Sequence, residues 1–196
     1  MSAARKWNLI SVEDYLEGEL LSPIKHEYVG GVVYAMAGAR NAHNRIKGNI
    51  FGLSHNKLRG KACQPYDSDT KVRIFLPNQI RFYYPDDQIV CESNPYDDSY
   101  QDKPVVIFEV LSRRTRRTDE GEKKDAYLQI PSLAVYALVE QDEPAVVVFR
   151  RTEGDFKREV YQGLDAVIPL KEVGFDLPLR EIYEGIAFTP EPDEPD

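Results

Sequence analysis

Residues 105–111 read VVIFEVL. A continuous apolar run of this length, rich in β-branched residues, is what a strand covered on both faces requires. Such a strand demands a layer of structure on each side, so the chain is predicted to fold as an α/β (α+β) domain. A mixed sheet would form the core, with helices against it. The run also contains one costly residue. Glu109 places a carboxylate where burial is unfavourable without a cation or a hydrogen-bond donor. Either its side chain reaches solvent at a sheet edge, or it is held there for chemistry.

The elements around this strand follow from caps, turns and periodicity. A short helix is predicted over 11–21, with Ser11 as its cap and Pro23 beyond its end. Residues 26–36 read as a hairpin about Gly30-Gly31. Ile46, Ile50 and Leu53 fall at helical spacing in the longest helix, 41–59, and Gly60 stops it. From Lys71 the pattern alternates, with Lys71 and Arg73 outward and Val72 and Ile74 inward. Strands are expected at 80–84, 88–91, 135–139, 146–149 and 156–161, the last at an edge. A helix is expected over 119–129, with Asp119 and Glu122 at capping-box spacing, and a short last helix at 179–183. Residues 1–188 are expected to form a single domain, and 189–196, an acidic and Pro-rich stretch, a disordered tail.

Several function classes lose support at once. No apolar run approaches the roughly 20 residues of a membrane helix, and the N-terminal stretch lacks a signal-like apolar core. A cytoplasmic protein without a membrane partner is the expectation. Cys63 and Cys91 cannot build a dense disulfide framework. Zinc ligation has no paired spacing among two Cys and three His, and no phosphate-cradling glycine loop appears.

What remains is carboxylate chemistry. Asp86 follows Tyr84-Pro85 at the end of a strand, where proline leaves the ladder and can turn the next side chain aside. Two carboxylates on neighbouring strands suit a hard cation such as Mg²⁺. Asp87 is adjacent, and the residues alone leave the choice between it and Asp86 open. Asp119, Lys123 and Tyr127 are spaced by four and share one helix face. An ammonium there would favour charge on a phosphorane-like transition state; a solvated surface lysine is the plain alternative. Arg113, Arg114, Arg116 and Arg117 follow the Glu109 strand, where guanidinium groups could pair with phosphates. His43, at a helix start, and Lys71 and Arg73, on a strand, are further candidates for substrate contact. Each is equally open to a purely structural role.

These pieces together resemble a known family. Tyr84-Pro85-Asp86, Glu109-Val110-Leu111-Ser112, Asp119 with Lys123 and Tyr127, and Ile130-Pro131-Ser132-Leu133 are similar to the Uma-two family of bacterial endonucleases. That family lies within the PD-(D/E)-x-K, restriction-endonuclease-like superfamily. His26-Glu27-Tyr28, Met36-Ala37-Gly38, Ala42-His43-Asn44, Ser68-Asp69 and Leu177-Pro178-Leu179 extend the likeness over nearly the whole chain. The resemblance implies Mg²⁺-dependent (or Mn²⁺-dependent) hydrolysis of phosphodiester bonds in DNA, with RNA as a further possibility, and a homodimer by analogy. Asp86 and Glu109 would hold the metal, with the Val110 carbonyl as a further oxygen. Glu27 would match the family's N-terminal acid. The superfamily's usual lysine is replaced by Leu111, and Lys123 would take over its part. The chain departs from the family's pattern at Gly30-Gly31, Asp87 and Ser112-Arg113. Rival readings are a nucleic-acid-binding or partner-binding module on the same fold, or a metal-dependent hydrolase of another phosphoester.

The net charge of −8 at first argues against a nucleic-acid partner. Glu27, Asp86, Asp87 and Glu109 supply four of those negative charges, and Glu191, Asp193, Glu194 and Asp196 supply four more. The rest of the chain is neutral in balance, with its arginines grouped beside the proposed site.

Overall fold

The computed structural model describes residues 9–36 and 38–188. Helix α1 (Val12–Leu21) begins as the sequence predicts: the Ser11 hydroxyl accepts from the Asp14 N–H at 3.0 Å. Replacing Ser11 by Ala should cost about 1 kcal/mol of stability, read as a shift in urea midpoint without a change in slope.

Strands β1 (His26–Val29) and β2 (Val32–Ala35) form the predicted hairpin. Both turn residues are left-handed, Gly30 at φ 54° and Gly31 at φ 97°, as a tight two-residue turn requires. Helix α2 (Asn41–Leu58) follows, and Gly60 at φ 75° lies just past its end. Then come β3 (Gln64–Asp67), β4 (Lys71–Leu76), β5 (Gln79–Tyr83), β6 (Asp87–Val90), β7 (Tyr100–Gln101) and β8 (Pro104–Val110). A helical segment of three parts comes next: α3 (Arg116–Thr118), a π turn (Asp119–Lys123) and α4 (Lys124–Tyr127). Strands β9 (Val135–Val139), β10 (Ala145–Arg151), β11 (Phe156–Gln162), β12 (Val167–Leu170), β13 (Phe175–Pro178) and the short helix α5 (Leu179–Ile182) complete the described chain.

One sheet runs β11-β10-β9-β8-β6-β3 and a second runs β2-β1-β5-β4-β7. The VVIFEVL strand, β8, is interior to the larger sheet, antiparallel to β6 and parallel to β9. Its two faces serve two cores. Val106, Phe108 and Val110 meet Ile46 and Ile50 of α2 on one side. Ile107 and Leu111 meet Tyr127, Tyr136, Val72 and Tyr83 on the other, where α4 and the second sheet close over it. Helix α1 packs on the far side of the second sheet, through Tyr15 against Tyr28 and Phe82.

The fold class is thus the predicted mixed α/β one, with local differences. Strands β12 and β13 pair as a hairpin that alternation does not reveal, because Pro169 and Pro178 lie in it and proline reads as a strand breaker. The 119–129 helix starts earlier, at Arg116. Ser112 and Thr115 exchange hydrogen bonds ahead of it, and the Arg116 N–H reaches the Ser112 carbonyl at 2.9 Å. Asp119 therefore sits inside a continuous helical run with φ −69° and ψ −39°, and does not cap it. Lys71, expected outward, is buried. Cys63 and Cys91 form one disulfide, which links the start of β3 to the end of β6. No helix among the described residues is long and apolar enough to cross a membrane. The acidic stretch 189–196 lies outside the described residues.

Candidate active site

Register brings the acids together. Asp87 pairs with Phe108 across β6 and β8, so Asp86, one residue earlier, stands level with Glu109. Asp86 is fixed by the backbone of β8: its Oδ2 accepts from the Val110 N–H at 2.8 Å. His43, in the first turn of α2, places Nε2 3.2 Å from the same oxygen. Asp87 goes elsewhere. Strand alternation sends it to the α2 face, beside Ile89, while Glu109 lies on the opposite face. Asp87 is wholly buried, and burial, then Asp67, pushes its carboxyl well above the ordinary range.

Glu109 points into the second core and is only 3% exposed. Its Oε1 accepts from Tyr127 Oη at 3.2 Å and from Lys123 Nζ at 3.5 Å. Lys123 also meets Glu27 Oε1 at 2.8 Å and Asp119 Oδ1 at 3.6 Å. Glu27 arrives from β1, whose alternation explains its direction. Tyr28 turns outward to α1, so Glu27 turns inward to the helical segment. The lysine ammonium lies 5.5 Å from the centre of the Tyr83 ring.

The structure thus brings Glu27, Glu109 and Lys123 together, with Asp86 and His43 at the level of Glu109. It adds Asp119 and Tyr127, which were read for helical spacing and not as site residues; the four-residue spacing to Lys123 was the available signal. The π turn retains the shared face although it widens the helix by one residue per turn. Three carboxylates, Glu27, Glu109 and Asp119, contact one ammonium, and Asp86 stands level with Glu109 beside them. The consequences are electrostatic. Burial drives the Glu109 carboxyl well above its ordinary value, Lys123 opposes that, and Asp119, Asp86 and Glu27 reinforce it. Burial works against the Lys123 ammonium, yet Glu109, then Glu27 and Asp119, hold it well above the usual lysine range. Asp119 is also raised by burial, with Lys123 opposing.

The donor set suits a hard divalent cation in kind: carboxylate oxygens in excess of the positive charge present. Oε1 of Glu109 is engaged by Lys123 and Tyr127 and Oδ2 of Asp86 by Val110, so Oε2 and Oδ1 are the atoms left to an ion. Among the described residues, no three His, Cys, Asp or Glu side chains stand in a metal-holding arrangement as they are placed.

The basic candidates divide. Arg116 is engaged by Glu120 at 2.9 Å and by both oxygens of Glu140. Arg73 is held by Asp102 in a two-pronged pair, 2.7 Å at each bond, and lies over the rings of Phe75 and Tyr100. Arg113, Arg114 and Arg117 are exposed on the segment that follows β8. Lys71 donates to the Tyr84 hydroxyl at 3.2 Å.

This arrangement can be set beside known proteins. The sequence matches the Uma2 family, described as "Putative restriction endonuclease", over residues 12–180. The chain belongs to that family. An uncharacterized protein of Synechocystis sp. is 32% identical to this Uma2 chain over 181 residues, covering 91% of the chain and 94% of the relative. A second uncharacterized Synechocystis protein is 28% identical over 136 residues, covering 68% and 76%. In fold, this Uma2 chain is similar to the crystal structure of a putative nuclease belonging to DUF820 from Anabaena variabilis. The TM-score is 0.67 at 16% sequence identity, covering 86% of this chain and 96% of that one.

Proposed function

We propose that this Uma2 chain is a divalent-metal-dependent endonuclease that hydrolyses phosphodiester bonds of DNA. The observation that carries the reading is the buried ammonium of Lys123 in contact with Glu27, Glu109 and Asp119, beside Asp86. A structural ion pair needs one carboxylate per ammonium, and this ammonium meets three. Asp86 and Glu109 would hold Mg²⁺ or Mn²⁺, which when bound supplies Lewis acidity and lowers the pKa of its water.

The chain's own groups define the remaining roles. Lys123 is held protonated, so its part is to donate: it orients an attacking water or steadies charge on the phosphoryl oxygens, and it does not take a proton. Tyr127, through Oη on Glu109, and Val110, through its N–H on Asp86, fix the two carboxylates before substrate arrives. Glu27 and Asp119 keep Lys123 charged and in place. His43 orients Asp86 through Nε2. Arg113, Arg114 and Arg117, beside the site, favour a polyanionic substrate.

The test is cleavage of plasmid and oligonucleotide DNA with Mg²⁺ or Mn²⁺. Wild type should cut, and Asp86→Asn, which keeps the shape of the side chain, should lower the rate by about two to three orders of magnitude. Cleavage unchanged in that variant would remove the assigned site. Binding of DNA by wild type without any cleavage would favour a binding module on this fold.

A further inference from the structure

On the α2 side of Asp86 a second charged cluster takes no part in the chemistry above. Three lysines from three elements converge on the β3–β4 turn and on Tyr84. Lys25, just before β1, donates to the Ser68 carbonyl at 2.8 Å and pairs with Asp69. Lys47, one turn beyond His43 on α2, donates to Ser68 Oγ at 2.8 Å. Lys71 donates to the Tyr84 hydroxyl. The Lys25 and Lys71 ammoniums lie 5.5 Å and 5.1 Å from the centre of the Tyr84 ring.

This cluster sets three ammoniums against two carboxylates, Asp69 and Glu19, a small excess of positive charge where the neighbouring site has an excess of negative. Among the described residues, neither Lys47 nor Lys71 has an ion-pair partner, and each is satisfied by a neutral hydroxyl. Burial disfavours the Lys71 ammonium and the nearby Glu19 charge supports it, whereas Lys47, among the described residues, meets only the Ser68 hydroxyl and can take a further anion. Glu19 accepts from the same Tyr84 hydroxyl at 2.9 Å, and from the His26 N–H at 2.7 Å. Ser68, Lys25 and Lys47 all retain exposed surface, so the cluster is reachable from solvent. Tyr84 is two residues from Asp86, and Lys47 shares a helix face with His43, which touches Asp86.

We propose that Lys25, Lys47, Lys71 and the Ser68 hydroxyl form a phosphate subsite. It takes the sugar-phosphate backbone of a nucleic-acid strand next to the phosphate positioned at Asp86. The inference rests on the nuclease reading and deepens it by giving the strand a path: from the arginine segment after β8, across the acidic centre, to Ser68. Phosphate contacts of this kind fix register and carry no base preference.

The experiment is fluorescence anisotropy of a labelled DNA oligonucleotide in Ca²⁺ over a salt series. Lys25→Gln with Lys47→Gln removes two charges while keeping side chains that can still bond Ser68. The double variant should bind about tenfold or more weakly at low salt, and its log–log salt slope should fall by about two. With Lys25→Gln kept, Lys47→Arg in place of Lys47→Gln should recover about half of the lost slope, and Lys57→Ala, exposed in the last turn of α2, should change neither quantity. Affinity within about twofold of wild type, with an unchanged slope, overturns the subsite. A lysine-dependent slope in a wild type that never cuts leaves the subsite standing and removes the nuclease reading. A wild type that cuts, with a double variant that binds and cuts alike, removes the subsite alone.

Discussion

Lys123→Ala is expected to lower the stability of the metal-free protein by about 3–5 kcal/mol, because it leaves carboxylates buried without their cation. Glu109 and Asp119 are 3% and 2% exposed, so water cannot take over the missing interaction. The loss should be largest at neutral pH and shrink as pH falls, since Glu109 and Asp119 already favour protonation when folded. Urea unfolding at pH 5 and pH 8 reads this directly. Mg²⁺ or Mn²⁺ at millimolar concentration should return part of the stability, by binding only the folded chain. An equal deficit at both pH values, unmoved by metal, would show that the lysine contributes packing and little charge.

Glu109→Gln should act in the opposite direction on stability. The Glu109 carboxyl is raised by burial, so the folded state binds its proton more tightly than the unfolded one. The penalty for ionising it is absent below the unfolded value near 4.5, grows as pH rises above that, and is complete once pH passes the folded value. Glutamine mimics the protonated form and can still accept from Tyr127 and Lys123. The variant should therefore match wild type near pH 4 and exceed it by about 1 kcal/mol at neutral pH without metal. Cleavage should fall by about three orders of magnitude, about 4 kcal/mol of transition-state stabilisation. The rise in melting temperature that Mg²⁺ gives to wild type should vanish. A variant both more stable and inactive separates the role of Glu109 in chemistry from any role in holding the fold.

Much of the architecture was legible because it rests on short-range rules. VVIFEVL gave an interior strand, Gly30-Gly31 a two-residue turn and Ser11 a cap, and each depends on residues within a few positions. The proline-bearing hairpin of β12 and β13 was not legible, since its strands are defined by pairing with each other and not by alternation. The convergence of Glu27, Glu109 and Lys123 was suggested by resemblance; the local pattern alone left Lys123 as a plausible surface residue. The destinies of Arg73 and Arg116 were hidden for a different reason. Their partners, Asp102 and Glu140, are 29 and 24 residues away in sequence, and no local pattern pairs them. Lys25 and Lys47 are joined by no local pattern either, since a hairpin and a helix start separate them and they meet only at the Ser68-Asp69 turn.

The π turn at Asp119–Lys123 can be viewed as a phase setting. A helix advances about 100° per residue, so one residue added or removed rotates everything beyond it by nearly a third of a circle. Asp119 lies at the entrance to the turn and Tyr127 beyond it, and both face Glu109 or its lysine. Their agreement holds only for this winding. Loss of Gly121 would keep Asp119 and Tyr127 on the cluster only if the turn rewound as regular α-helix, and otherwise would swing one of them away without altering one charged group. In this family member a length change in that helix is thus an electrostatic change as well as a geometric one.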